Sequence, residues 1–176
     1  MTADVRRRSL YALIAFGVIA LDQWTKFIIR TNFRIHWDSV EVIPGFFRIV
    51  HIRNTGAAFG IGAQSDSPLV PIVLNVLAIA VFVFVLVLAY RSSPREKALQ
   101  IGLHLILGGA VGNLIDRFTL GSVVDFLDVF VVIGGEEKHW PAFNVADSAI
   151  CVGIGLLLLD MWLRPSDQPL ESTENA

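Results

Sequence analysis

The chain has a single cysteine, Cys151, which excludes an intrachain disulfide. Within the last apolar segment it reads as a small packing residue. Charge is scarce as well. Of 176 residues, 17% are charged and 54% are hydrophobic, with a mean hydropathy of +0.62. A soluble domain of this length carries more charge, about 25%. The basic residues sit at the ends and in loops without interleaved aromatics, so no nucleic-acid groove is indicated. The four histidines, His36, His51, His104 and His139, have no metal-ligand spacing, and neither His-Glu-x-x-His nor Gly-x-Gly-Asp occurs. No metal or other cofactor is expected. Cys151 has no histidine nearby in sequence to make a thiolate. No spacing supports a Ser148/Lys26 dyad.

What is present is four long apolar stretches: Leu10–Ile29, Leu69–Tyr90, Ala98–Leu114 and Phe143–Leu163. Each approaches the roughly 20 residues that carry a helix across about 30 Å of hydrocarbon. Lipid offers the backbone no hydrogen-bond partners, so helices are expected, over about 10–29, 69–90, 98–117 and 143–163. The run Val81 to Leu88 is strand-like in propensity, but its length and lack of polar alternation favour a lipid-facing helix. Arg6, Arg7 and Arg8 before the first stretch resemble the start of a signal peptide. The stretch nevertheless contains Asp22 and Lys26 where a small-residue cleavage site would stand, so it reads as retained.

Arginine and lysine set the threading. Arg6–Arg8 and the short link with Arg91, Arg95 and Lys97 belong in the cytoplasm. Both termini then lie inside, and the loops 30–68 and 118–142 lie outside. Within the first loop, Ser39–Ile43 and Phe46–Arg53 partly alternate around the turn pair Pro44-Gly45, which predicts a small sheet. The small residues from Asn54 to Gly60 would permit close backbone approach. The expected architecture is an all-α integral membrane protein with four transmembrane helices and a small extracytoplasmic β-sheet and loop subdomain. It forms one domain over 1–164, and the polar tail 165–176 is expected to be disordered.

On this threading the unusual polar residues gather at the outer surface. Asp22 and Lys26 share a helix face and either form an anchoring ion pair or take part in chemistry. Asn113 and Arg117 are likewise four apart, and either glue helices or orient a carboxyl or headgroup. Asp116 is expected on another face, and Gly108 and Gly112 suit close helix packing. Asn54 is a turn residue or a ligand to substrate, and Asn144 is a helix N-cap or a partner of Asp147. Asp125, in Val123-Val124-Asp125-Phe126 of the outer loop, and Asp147, near the outer end of the fourth helix, are carboxylates beside hydrocarbon, which marks a functional site by default. Brought together, they would share a proton and could activate water. The competing reading is a non-enzymatic ion relay, which needs charges along the whole membrane depth.

Five ordered segments carry a resemblance: Asp22-Gln23-Trp24-Thr25-Lys26, Asn54-Thr55-Gly56-Ala57-Ala58-Phe59, Gly112-Asn113-Leu114-Ile115-Asp116-Arg117, Val123-Val124-Asp125-Phe126 and Phe143-Asn144-Val145-Ala146-Asp147. Together they resemble the bacterial lipoprotein signal peptidase family (signal peptidase II) over about 10–163. The resemblance implies a metal-free aspartic endopeptidase of the cytoplasmic (inner) membrane. Its partners would be prolipoprotein substrates, cut before a diacylglyceryl-modified cysteine, together with membrane lipid and the inhibitor globomycin, and it would act as a monomer. By match, Asp125 and Asp147 resemble the catalytic pair. Asp22, Lys26, Asn54, Asn113, Arg117 and Asn144 resemble site-lining or supporting residues. Gly134–His139 departs from the family pattern as a longer connection.

Overall fold

The computed structural model describes residues 3–56 and 69–163. The tail 165–176 and the segment 57–60 lie outside them. Four helices are long and apolar enough to cross a membrane: α1 (Ala3–Asn32), α2 (Leu69–Arg91), α3 (Lys97–Leu120) and α4 (Val145–Leu163). The 30 residues of α1 span about 45 Å at 1.5 Å per residue, so this helix outruns the hydrocarbon.

Helix α3 is the hub, packed against the other three. Apolar burial alone does not hold helices together in lipid, so close contact does. Gly108 lies against Ala15 and Val18 of α1, and Gly109 against Ala146 and Ile150 of α4. Gly102 and Gly153 face one another across α3 and α4. The expected close packing at Gly108 and Gly112 is present, with Gly112 set against Asp22. Outward side chains such as Phe16, Phe84 and Leu158 are exposed, as lipid-facing positions must be. The α2 end is capped from outside the helix: Arg8 donates to the carbonyls of Ala89 and Ser92, and buried Gln100 donates to Ala89, Ser92 and Ser93.

At the other end lies an antiparallel sheet in the order β1 (Ser39–Ile43), β2 (Phe47–Asn54), β3 (Val123–Ile133) and β4 (Glu136–His139). Pro44-Gly45 makes the β1–β2 turn, with Gly45 at φ 70° and Phe46 N–H donating to Ile43 O at 3.1 Å. Proline followed by a left-handed glycine is type II turn chemistry.

The second loop departs from expectation. Most of 118–142 is strand, and the longer connection Gly134–His139 is the turn and return strand of a hairpin. Gly134 and Gly135 both hold positive φ, 64° and 84°, as a two-residue type I′ turn requires. Helix α3 runs to Leu120 and stops where Gly121, at φ 72°, donates its N–H to Arg117 O. Arg53 closes that end by donating to Ser122 Oγ and Leu120 O. Phe143 exchanges hydrogen bonds with Leu127 and also accepts from Phe126 N–H. This stitch hangs the start of α4 on β3.

Candidate active site

The site grows from the N-terminus of α4. Asn144 is the N-cap: its Oδ1 accepts the Asp147 N–H at 3.0 Å, while the Asp147 carboxylate accepts the Asn144 N–H at 3.1 Å. This is the reciprocal capping box, written with Asn and Asp. Both readings of Asn144, N-cap and partner of Asp147, therefore hold, and its Nδ2 also donates to Asp125 Oδ1 at 2.8 Å. One fully buried asparagine thus bonds both carboxyls.

Asp125 stands on β3 rather than in a loop. The Ile52–Asp125 register lies beside Asn54–Val123, and Asn54 Nδ2 donates to Asp125 Oδ2 at 3.0 Å. Asn54 is a turn residue as well, since its Oδ1 accepts Gly56 N–H. Asn113 donates to Asp147 Oδ1 at 2.8 Å and accepts from Lys26 Nζ at 2.9 Å. Asp125, Asp147, Asn54, Asn113 and Arg117 line one cavity of about 380 Å³, walled on its apolar side by Val123, Phe143, Ile150 and Cys151. Arg117 donates to Gly56 O at 3.3 Å. Burial first, and the Asp147 charge second, push the Asp125 carboxyl up to about 7 from an ordinary 3.8, against the opposing pull of Asn54, Asn144 and Lys26. Such a group exchanges a proton near neutrality.

A second cluster lies behind the first. Lys26, with no exposed surface, is 2.9 Å from Asp22 and 3.2 Å from Asp116. With Asn113 Oδ1 this gives its three N–H groups three acceptors. Gln23 donates to Asp22, Asp116 and the Gly112 carbonyl. The cluster reaches outward at two backbone points: Asp22 Oδ1 accepts the Ala146 N–H of α4, and Asp116 Oδ2 accepts the Val124 N–H of β3. Each catalytic candidate thus follows a residue whose amide is tied to the buried cluster.

A family model described as Signal peptidase (SPase) II matches residues 14–163. The chain belongs to the signal peptidase II family. A lipoprotein signal peptidase of Syntrophotalea carbinolica is 47% identical over 150 residues, covering 85% of this chain and 89% of that protein. One from Solibacter usitatus is 46% identical over 155 residues, covering 88% and 91%. A bacterial membrane enzyme structure obtained by the in meso method at 2.3 Å has a TM-score of 0.68 at 32% identity and covers 92% of this chain and 94% of its own.

All eight residues singled out from the sequence of this signal peptidase II family member converge at one end of the bundle. Two others were missed. Asp116 was assigned to another helix face, yet it stands three residues from Asn113, a spacing that places both on one side. Gln23 carries no periodic signal and is found only through its contacts.

Proposed function

We propose that this multi-pass membrane peptidase removes signal peptides from lipoproteins as an aspartic endopeptidase, cutting before the diacylglyceryl-modified cysteine. The observation that carries the reading is the pair of carboxyls, Asp125 and Asp147, bonded to the same Asn144 in one cavity. Relatives named lipoprotein signal peptidase supply the substrate class.

A water between the carboxyls loses its proton to the ionised member as it attacks the scissile carbonyl. The protonated member donates to the carbonyl oxygen, and the tetrahedral species then collapses with the proton passing to the leaving amide nitrogen. Burial and the neighbouring Asp147 charge favour the neutral form of the Asp125 carboxyl, so one proton rests on the pair. The pair titrates as a unit. Asn54, Asn113 and Asn144 hold the oxygens with neutral donors, leaving the proton free to move. Arg117 and Asn54 border the substrate, and Asp22 and Lys26 support the site from behind.

The active end faces outward, with both termini in the cytoplasm, as the arginine distribution directs. A substrate cut there keeps its acyl chains in the bilayer against the apolar wall of α4. The decisive experiment incubates the purified protein with a diacylglyceryl-modified precursor and follows a gel shift, with and without globomycin. The expected result is cleavage that globomycin blocks and chelators leave intact. Near-normal cleavage by Asp125→Asn or Asp147→Asn would overturn the mechanism.

A further inference from the structure

The two cavity carboxyls are braced from two directions. In front, Asn144 bonds Asp125 and Asp147 directly. Behind, each is held through the residue that precedes it. Asp116 Oδ2 accepts the Val124 N–H at 2.9 Å, and Asp22 Oδ1 accepts the Ala146 N–H at 3.0 Å. A shift of Asp116 relative to Asp22 therefore becomes a shift of Asp125 relative to Asp147.

Asp22 stands on α1 and Asp116 on α3. Among the described residues, two side chains bond both. Lys26 lies 2.9 Å from Asp22 Oδ2 and 3.2 Å from Asp116 Oδ2. An ammonium is a compact point charge with rotatable donors, so it compensates charge without fixing a plane. Gln23 does the remaining work. Its Nε2 lies 3.1 Å from Asp22 Oδ2, from Asp116 Oδ1 and from the Gly112 carbonyl. Gln23 is the donor to Asp116 Oδ1 among the described residues. The torsion that turns an aspartate carboxyl is broad. Held at Oδ2 alone, the Asp116 group can swing; held at both oxygens, it presents Oδ2 to Val124 in one direction. A Cβ at Gly112 would stand 2.5 Å from Asp22 Oδ2, so bare backbone is what lets α1 bring these side chains so close to α3.

We propose that Gln23 is a positioning residue of the peptidase: by tying Asp22 to Asp116 across α1 and α3, it sets the separation of Asp125 and Asp147. It acts through those two aspartates, from behind the cavity. Gln23 is neutral, so its loss removes a geometry and leaves Lys26 in place to compensate both charges. This inference rests on the peptidase reading.

The test is Gln23→Met, which keeps the length and bulk of the side chain and removes its donors. Cleavage of the diacylglyceryl-modified precursor is measured across pH, beside the unfolding temperature of the detergent-solubilised protein. The expected kcat is lower by about tenfold, because small misplacements of reacting groups are costly, with KM and the unfolding temperature near those of the parent. The alkaline limb of kcat/KM separates positioning from mere support. Burial first, and the Asp147 charge second, hold the Asp125 carboxyl up at about 7. A wider pair weakens the second cause, so the limb should move to lower pH. Loss of packing alone would lower the unfolding temperature and leave the limb where it was. Gln23→Asn keeps the amide and shortens its reach; it should move kcat and the limb in the same directions, and it serves if Gln23→Met does not fold. An unmoved limb, or an unchanged kcat, would overturn the positioning role. Failure of the unaltered protein to cut the precursor would instead reject the peptidase reading.

Discussion

Two acidic clusters lie within one network and are built for opposite ends. In the inner one, Asp22 and Asp116 flank Lys26, and every oxygen of both carboxyls has a donor among Lys26, Gln23 and two backbone N–H groups. In the outer one, the donors to Asp125 and Asp147 among the described residues are uncharged and come from Asn54, Asn113 and Asn144. Lys26 compensates the charge of the inner carboxyls, whereas in the outer pair burial and the Asp147 charge favour the neutral form of Asp125. Lys26 is bonded to Asp22 and Asp116 and meets the outer pair through Asn113. Among the described residues, Asn113, which accepts from Lys26 and donates to Asp147, is the only one that bonds the lysine and a member of the outer pair directly.

The comparison breaks most visibly at Lys26. Replacing it with methionine strands two buried carboxylates, and removal of one partner from a buried ionic cluster costs about 3–5 kcal/mol. The expected result is a large fall in the unfolding temperature of the detergent-solubilised protein, with activity lost as a consequence. The outer pair should behave in the opposite way. Asp125→Asn should leave the unfolding temperature near that of the parent and lower kcat by about 10²-fold or more, as loss of a general acid or base does. A variant of either kind with the other's signature would remove the distinction.

A subtler break is geometric. A methyl group at Gly109 would collide with the Ala146 carbonyl and come within 2.7 Å of Ile150. Gly109→Ala should push α4 off α3 and carry Asp147 with it. Misplacement by about 1 Å can cost up to 10²-fold, so kcat/KM should drop by at least about tenfold while the helix content seen by circular dichroism stays unchanged.

The smallest effects concern pH. The folded state holds the Asp125 proton up to about 7, and the ordinary value is 3.8. Between those values the folded chain binds more protons than the unfolded one, so this group's contribution to stability falls as pH rises through the window. Asp125→Asn should flatten that slope in a series of thermal melts. With Asp125 as the acid, kcat/KM should decline above about pH 7. Asn54 donates to the ionised form, and Asn54→Ala should move that alkaline limb upward by a fraction of a pH unit to about one unit. A downward movement would show that Asn54 bonds the neutral acid.

Much of this was legible in the residues. Hydropathy and length marked four helices, Pro44-Gly45 marked the first hairpin, and Asp125 and Asp147 stood out as carboxylates beside apolar neighbours. The strand β3 was not seen, because Asp125 and Asp128 interrupt a run that otherwise looks like the tail of a helix. Its hairpin turn, Gly134-Gly135, was read as an inserted loop. Asp116 reads as facing away from Asn113 because it adjoins Arg117, although Asn113 and Asp116 share a face by spacing.

The order of elements and the stock of acidic and amide side chains were therefore settled by the sequence, because hydrophobic length, turn chemistry and residue type act over a few neighbouring positions. Which carboxyl meets the lysine and which meets only amides was decided by the tertiary structure. That choice depends on α1, α3, β3 and α4 arriving at one point from positions up to 124 residues apart, and charge compensation in a buried site is decided by contact distance.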